Sequence, residues 1–213
     1  MNTIIDLSHV LNNETPVYPG TNAPSIQQSN TIQKDGFREK LILIPSHFGT
    51  HMDAPSHIFK DGKSLDQFPV DQFSGRAVML DVRGLSSISE DSIASLLRAH
   101  PSAEFVILRT GWEDFWHDEK YFEGFPVLSE AAAECLASHQ IKGIGLDAIS
   151  VDPVGSETLP VHRALLKNDL VIVENLCNLG ALPSPEFIFQ SFPLKIGDAD
   201  GSPVRAVAVF PEL

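Results

Sequence analysis

The sequence contains little cysteine and has an unequal balance of charge. Only two of its 213 residues are cysteines, Cys135 and Cys177, and they form neither a C-x-x-C pair nor the framework of a secreted disulfide-rich protein. The expectation is therefore two reduced thiols and a cytoplasmic location. Lysine and arginine number 15 against 28 aspartates and glutamates, which gives a net charge of −13. Because phosphate binding needs clustered positive charge, nucleic acid and anionic membranes are disfavoured as partners.

Several segments that define other classes of protein are also missing. No stretch approaches the roughly 20 apolar residues of a membrane helix, and the first residues lack the basic and apolar regions of a signal peptide. No G-x-G-x-x-G follows a strand and no G-x-x-x-x-G-K-[ST] is present, so dinucleotide and P-loop nucleotide binding have no support. Without an internal repeat or a Gly/Ser linker, residues 1–213 are predicted to form a single domain.

What is present is a globular composition, with 43% hydrophobic residues, and a recurring strand pattern. Strand-like apolar runs lie at 3–8, 38–45, 76–82, 104–110, 141–149, 169–176, 186–196 and 203–210. Helical patterns cover 89–100, 128–140 and 160–168, and Ser89 and Ser129 occupy the N-cap positions of the first two. Strands and helices alternate in the middle and strands crowd at both ends, which predicts an α/β domain with a mixed sheet or a partly closed barrel.

The most informative segment is H-F-G-T-H-M-D-A-P-S-H, from His47 to His57, which follows the second predicted strand, expected to be buried. Proline and glycine disfavour a helix here, and an extended chain places His47, His51 and Asp53 on one face at a period of two. At about 3.3 Å per residue the first two histidines would lie about 13 Å apart, so the chain must bend, and Gly49 between them allows a bend. Imidazole and carboxylate ligands suit Zn²⁺, Mn²⁺ or Fe²⁺.

A second set of candidate ligands lies more than a hundred residues later. His162 is at the predicted start of a helix, and Glu174 follows the apolar run L-V-I-V. An ionised carboxylate is costly to bury unless it is paired or bound to a metal, although Glu174 could instead lie at an exposed end of its strand. Together with the first set, these residues suffice for one ion, or for two ions bridged by Asp53.

The motif resembles that of the cyclase-like metal-dependent hydrolases, the family that includes bacterial kynurenine formamidases and isatin hydrolases. Outside the eleven-residue motif, the similarity extends to segments at 4–20, 109–112, 145–153, 162–179 and 192–209. The resemblance therefore covers nearly the whole chain. It implies a swivelling β/β/α-type fold, one or two divalent ions such as zinc or manganese, and a homo-dimer or homo-tetramer.

The same resemblance implies a role for each candidate residue. The family's first metal ligands match His47, His51 and Asp53, its second-ion ligands match His162 and Glu174, and its proton-transfer histidine matches His57. The implied reaction is hydrolysis of a C–N amide bond in a small molecule such as N-formylkynurenine, with a metal-activated water and a histidine proton carrier. Asp147 or Asp152 could orient a ligand imidazole, or both could be turn residues.

The substrate is less well defined than the metal site. The family's formamidases often carry G-A-H-x-D where this chain has G-T-H-M-D, and no tryptophan near the N-terminus marks an aromatic formamidase pocket. A cyclic amide resembling isatin, or a lactone, is therefore an alternative substrate. Candidate substrate-binding residues are Tyr18, Phe48, Phe59 and Trp112 as an apolar wall, and Arg205 as a partner for a carboxylate. The aromatic residues could equally belong to the core, and Arg205 could form a structural ion pair.

Two other classes of function stay open on the residues alone. His51, Asp53 and His162 also spell the two-histidine, one-carboxylate triad of non-haem Fe(II) oxygenases. That interpretation leaves His47, His57 and Glu174 without a role. A catalytically silent metal-binding protein is the other alternative, although every residue expected of the hydrolase is present.

Overall fold

The structure is a computed structural model that describes residues 2–211. Its strands are β1 (Thr3–Asp6), β2 (Ser25–Asn30), β3 (Glu39–Leu43), β4 (His51–Asp53), β5 (Ser74–Asp81), β6 (Ser87–Ile88), β7 (Phe105–Arg109), β8 (Val127–Leu128), β9 (Gly143–Leu146), β10 (Val171–Glu174), β11 (Glu186–Pro193) and β12 (Gly201–Phe210). Its helices are α1 (Ile32–Asp35), α2 (Glu90–Ala99), α3 (Glu130–Ala137) and α4 (Pro160–Leu166).

Seven of the strands form a closed barrel with both parallel and antiparallel neighbours. Their order is β12-β11-β5-β7-β9-β10-β4, and β4 in turn pairs with β12. The four strands β5, β7, β9 and β10 run parallel, whereas β4, β11 and β12 are antiparallel to their neighbours. Strand β12 closes the ring because its residues 201–203 pair with β4, while its residues 207–210 pair with β1 outside the ring. The predicted α/β domain with a mixed, barrel-forming sheet is confirmed.

Two hydrophobic clusters lie on the two faces of the barrel wall. Helices α2, α3 and α4 cover the outer face, where their apolar residues share a cluster with Val106 and Leu108 of β7. Phe105 and Ile107 of the same strand belong to the inner cluster, together with residues of β4, β11 and β12. Because both faces of the wall are buried, β7 is apolar at consecutive positions rather than at alternate ones.

Sequence signals fix where the helices begin. Ser89 Oγ accepts a hydrogen bond from Ser92 N at 3.3 Å, and Ser129 Oγ accepts one from Ala132 N at 3.1 Å. Helix α4 begins at Pro160, whose fixed φ suits a first helical position. The three predicted helices are confirmed with shorter bounds. The longest helix, α2, has 10 residues, and within residues 2–211 no helix is long and apolar enough to cross a membrane.

One prediction about burial is wrong. The run at 38–45 does form β3, but all five of its strand residues are exposed. Strand β3 pairs with β2, a polar strand that the sequence did not indicate, and the two form a hairpin separate from the barrel. The apolar pattern of β3 predicts a strand but not its surroundings, because the environment of a strand depends on which distant segments pair with it.

Candidate metal centre

The candidate ligands of the histidine-rich motif converge around β4. His47 Nδ1 lies 2.7 Å from Asp53 Oδ1, and His51 Nε2 lies 3.3 Å from the same oxygen. Between the two histidines the chain bends at Gly49, whose φ of 60° is in the left-handed region and where a Cβ would collide with Leu11. Glycine therefore provides the bend that brings both imidazoles to one carboxylate.

The second set of candidate ligands joins the first across the barrel wall. Strand β10 pairs with β4 and places Glu174 directly opposite His51. Glu174 Oε2 lies 3.4 Å from His51 Nε2, and Glu174 Oε1 lies 3.5 Å from Nε2 of His162 in the first turn of α4. His162 Nε2 also lies 3.7 Å from Asp53 Oδ2. Glu174 is buried rather than at an exposed strand end. We call His47, His51, Asp53, His162 and Glu174 the ligand cluster.

The ligand cluster has the donor atoms of a cation site and, within residues 2–211, a buried carboxylate oxygen without a hydrogen-bond partner. Asp53 is 1% exposed, and its Oδ2 has no hydrogen-bond partner among the residues that the structure describes. A buried carboxylate oxygen without a donor is costly, and a nearby cation removes that cost. Two groups each offer three ligand atoms within 4.8 Å of one another: His47, His51 and Asp53, and Asp53, His162 and Glu174. The cluster therefore fits a divalent metal ion, with Asp53 common to both groups.

Of the two carboxylates considered for orienting a ligand, Asp152 is the one that contacts the cluster. Asp152 Oδ2 accepts hydrogen bonds from His162 Nδ1 at 2.7 Å and from the His162 backbone N–H at 3.0 Å. This leaves Nε2 of His162 facing the carboxylates of the cluster. Asp147 instead accepts hydrogen bonds from Thr110 and Gly111 at 2.7–2.8 Å, so it holds the turn after β7.

The charge state of the cluster is decided by burial and by its carboxylates. Burial disfavours the protonated imidazoles, but the neighbouring carboxylates, Asp53 foremost, outweigh it and raise the pKa of His47 to about 9 and the pKa of His51 to about 10. Burial also disfavours the ionised form of Asp53, yet the charges of His47 and His51 hold its pKa well below the ordinary value. Without a metal, these histidines therefore carry protons at neutral pH.

Metal affinity is consequently expected to rise steeply with pH. The raised pKa values of His47 and His51 mean that both imidazoles must lose a proton before they can bind a metal ion. Between pH 6 and pH 8 the apparent affinity should increase by about tenfold per pH unit for each proton released, and it should level off above about pH 10. Competition with a chromophoric chelator at several pH values measures this. An affinity that does not change over that range would contradict the assigned charge state.

His57 lies beside the cluster without being surrounded by it. It ends the 3-10 turn Pro55–His57, which folds it back so that its ring centroid is 4.0 Å from that of His47. Its Nδ1 lies 3.6 Å from Asp200 Oδ2. Burial lowers the pKa of His57 below the ordinary value of histidine, because the attraction of the carboxylates does not outweigh it. At neutral pH this imidazole is therefore a free base at the edge of the cavity.

Asp200 is a residue of the site that the sequence did not indicate. Its Oδ2 lies 3.0 Å from His47 Nε2, and this hydrogen bond holds the pKa of Asp200 well below its usual range. Asp200 also forms, with His47 and His57, a third group of candidate ligands. In the sequence it sits in G-D-A-D-G-S-P, which is typical of a turn. It reaches the site because β12 pairs with β4, a contact between segments about 150 residues apart.

The ligand cluster opens into a cavity of about 350 Å³. Its remaining walls are mixed, with apolar side chains beside hydroxyls and one aromatic ring, contributed by Tyr18, Thr21, Ile149, Ser150, Ser156 and Leu159. The Tyr18 hydroxyl accepts a hydrogen bond from Gly155 N at 3.1 Å, which fixes the ring at the wall. The volume is at the lower end of the range for small-molecule sites.

The other four residues considered for substrate binding lie outside the cavity walls. Phe48 is fully buried, and Phe59 lines a separate cleft beside α4. Trp112 packs edge-on against Phe115, with ring centroids 5.1 Å apart. Arg205 is exposed on β12 and forms a bidentate ion pair with the carboxylate of Asp6, at 2.6 and 2.8 Å. None of these four side chains is therefore placed to contact a substrate in the cavity.

Comparison with known proteins identifies the family. Residues 5–153 match the model of the family described as "Putative cyclase". The chain is also 34% identical over 205 residues to a kynurenine formamidase of Erythrobacter litoralis, covering 96% of this chain and 92% of the relative. The protein therefore belongs to the cyclase family of metal-dependent hydrolases.

Solved structures agree with this membership. An isatin hydrolase bound to the product analogue thioisatinate superposes with a TM-score of 0.88 at 26% identity, covering 99% of this chain and 93% of that one. A structure described as a potential metal-dependent hydrolase with cyclase activity superposes with a TM-score of 0.81 at 27% identity, and both chains are covered completely. The fold and the family predicted from the motif are confirmed.

Proposed function

We propose that this protein is a metal-dependent hydrolase that cleaves the C–N bond of a small amide, with N-formylkynurenine as the first candidate substrate. The observation that carries the proposal is the buried carboxylate of Asp53, which has an unpartnered oxygen and stands among three histidines beside a small cavity. A relative named kynurenine formamidase supports an aryl formamide as substrate. The isatin hydrolase neighbour supports a cyclic amide as the alternative.

We assign the metal ligands to the ligand cluster and leave His57 free of the metal. These residues would hold zinc or manganese, as one or two ions per chain, and Asp53 belongs to both ligand groups. When bound, the metal supplies Lewis acidity that activates water and polarises a carbonyl group. Asp152 keeps Nδ1 of His162 protonated, so this imidazole offers Nε2 as its ligand atom.

His57 is assigned the proton transfer. With its pKa lowered, mainly by burial, the imidazole is neutral at pH 7 and can accept the proton of the attacking water. It can then return that proton to the leaving nitrogen, which makes the amine a better leaving group. The position of His57 beside His47, within reach of the cavity, suits both transfers.

The cavity favours a small substrate with one aromatic ring. Tyr18, Ile149 and Leu159 supply apolar surface, while Thr21, Ser150 and Ser156 supply hydroxyls for polar substituents. A non-haem Fe(II) oxygenase is disfavoured because His47 and Glu174 would then have no role, although His47 lies 2.7 Å from Asp53 and Glu174 lies 3.4 Å from His51. In a metal-dependent hydrolase, by contrast, all five residues of the ligand cluster have a role as metal ligands.

Assays on a small set of substrates test the proposed function. The purified protein would be stripped with a chelator, reloaded with Zn²⁺ or Mn²⁺, and offered N-formylkynurenine, isatin and an aromatic lactone, with and without oxygen. The expected result is metal-dependent, oxygen-independent hydrolysis, fastest with the formamide. Faster turnover of isatin would indicate that the substrate is a cyclic amide. The proposal would be overturned if turnover required oxygen, or if the protein hydrolysed none of the amides.

We also propose that the protein assembles as a homo-dimer or homo-tetramer through the β2–β3 hairpin. Within the described residues this hairpin is a sheet separate from the barrel, with Leu41, Ile42 and Leu43 exposed at 63%, 56% and 69%. A two-stranded hairpin with an apolar surface is only marginally stable alone in water, so a covering surface is expected. Its first strand follows Tyr18 and Thr21, so a partner covering it would also lie near the cavity.

Charge on the hairpin is expected to break this assembly. Replacing Leu41 and Leu43 together by glutamate puts two negative charges on one face of β3 and should shift the mass in solution to that of the monomer. Light scattering after size exclusion measures it. The matched control is Val70→Glu, which charges an apolar residue of similar exposure, 70%, outside the hairpin. A monomeric wild type, or a double variant with the wild-type mass, would contradict the proposal.

The proposed partner and cellular location rest on charge and cysteine content. The partner is a small-molecule substrate, since a net charge of −13 disfavours nucleic acid. A reducing compartment such as the cytoplasm suits the two cysteines, because Cys135 and Cys177 are both free. Fractionation of the source cells with detection of the native protein measures the location.

A further inference from the structure

A buried tyrosine that does not line the cavity is connected to the ligand cluster by hydrogen bonds. Tyr121 is fully buried, and its hydroxyl donates to Asn175 Oδ1 at 2.7 Å. A phenol inside a core needs a polar partner, and here the partner is the residue that directly follows Glu174 of the ligand cluster.

The hydroxyl of Tyr121 determines which way the amide of Asn175 points. Because Oδ1 accepts from Tyr121, Nδ2 is left to donate, and it lies 2.7 Å from the carbonyl oxygen of Gly49. The backbone of Asn175 is also fixed, since its N–H donates to Ala148 O at 3.0 Å and its carbonyl accepts from Thr50 Oγ1 at 2.6 Å. Its φ of 57° is one that asparagine tolerates better than most residues.

The same carbonyl of Gly49 orients a candidate ligand. His51 Nδ1 lies 2.8 Å from Gly49 O, and because a carbonyl oxygen only accepts, Nδ1 carries the hydrogen. The other ring nitrogen, Nε2, then faces Asp53 and Glu174 at 3.3 and 3.4 Å. Two donors, the imidazole of His51 and the amide of Asn175, thus converge on one carbonyl at the bend.

We propose that Asn175, held by Tyr121, is a positioning residue for the metal centre: it fixes the Gly49 carbonyl that sets the ring orientation of His51. The inference rests on the proposed function, because His51 is a ligand only if the cluster binds a metal. Without the side-chain amide of Asn175, the carbonyl of Gly49 keeps only His51 as a hydrogen-bond donor at the bend, so the carbonyl can rotate. Nε2 of His51 then loses its fixed direction.

Two variants remove this link with little change of shape. Asn175→Gly keeps the left-handed backbone, which glycine adopts freely, and deletes the amide. Tyr121→Phe keeps the buried ring and deletes the hydroxyl that fixes the amide. The matched control is Asn178→Gly, since Asn178 also has a positive φ, of 60°, but its amide donates to Asp6 O, away from the cluster.

The test measures Co²⁺ binding by the whole protein, with Co²⁺ alone as the probe. The absorption of bound Co²⁺ reports ligand geometry, and circular dichroism with thermal melting confirms that each variant folds. Asn175→Gly is expected to weaken Co²⁺ binding by about 10–100-fold and to change the absorption spectrum. Tyr121→Phe should change both in the same direction by less, and Asn178→Gly should match the wild type.

The outcomes separate this inference from the proposed function. If the wild type binds Co²⁺ and the folded Asn175→Gly and Tyr121→Phe variants bind it with the same affinity and spectrum, the positioning role is overturned and the metal centre stands. If the control Asn178→Gly weakens Co²⁺ binding as much as Asn175→Gly and Tyr121→Phe do, the effect is general destabilisation. The positioning role is then again overturned. A wild type that binds no Co²⁺ overturns the metal centre itself.

Discussion

Asp53→Asn is expected to remove the metal ion and to lower turnover by about three orders of magnitude, the loss that follows when several kcal/mol of metal-derived stabilisation are absent. The substitution keeps the size of the side chain but removes the charge that faces His47, His51 and His162. It also replaces one carboxylate oxygen of Asp53, the residue that both groups of ligands share, by a nitrogen that cannot bind a cation. Elemental analysis and kcat measured on the same preparation test both effects.

A surface carboxylate provides the control for Asp53→Asn. Asp81 pairs with Arg83 at 2.7 Å outside the cluster, so Asp81→Asn removes one charge without touching the site and should keep the metal and the activity. Thermal melting of both variants separates lost metal from lost fold. An Asp53→Asn protein that binds the wild-type amount of metal would rule out Asp53 as a shared ligand.

His57→Ala is expected to keep the metal and to lower kcat by about 10²–10⁴-fold, the range for loss of a positioned acid–base group. Burial holds the pKa of His57 below its ordinary value, so the base form of the wild-type residue is present at neutral pH and is lost as the pH falls through that lowered pKa. The wild-type rate should therefore fall as the pH is lowered and His57 becomes protonated. In the His57→Ala variant, the decrease caused by protonation of His57 should be absent. Rates and metal content across pH measure it.

The alternative for His57 is a place among the ligands, since it forms a group with His47 and Asp200. In that case His57→Ala would lose metal together with activity. His139→Ala is the control, because His139 is exposed and bonded to Cys135 O at 2.7 Å near the end of α3. Full turnover by His57→Ala would remove the residue from the mechanism altogether.

The sequence could predict what depends on local pattern. The period of two in the motif placed His51 and Asp53 on one face of β4, and the position of Gly49 predicted the bend that brings His47 to them. Serine N-caps located the starts of α2 and α3. Each of these inferences uses residues only a few positions apart, which is the range over which backbone geometry follows from sequence.

The sequence could not predict what depends on distant pairing. Asp200 enters the site only because the barrel closes between β12 and β4, and nothing within its own turn indicates that contact. Asp147 and Asp152 are five residues apart in one segment, yet the chain directs the first to the turn after β7 and the second to His162. The exposure of β3 likewise depends on its pairing with the polar β2. These contacts are set by the assembled barrel.

Titration of metal into the chelated protein is the most direct test of the central claim, that the buried ligand cluster is a metal centre for amide hydrolysis. Bound metal and the rate of N-formylkynurenine hydrolysis would be measured at each addition of Zn²⁺ or Mn²⁺. The rate is expected to rise from near zero in proportion to bound metal and to saturate at one or two ions per chain. The Asp53→Asn variant is expected neither to bind the metal nor to recover activity. Full turnover by the metal-free wild type, or equal recovery by Asp53→Asn, would contradict the central claim.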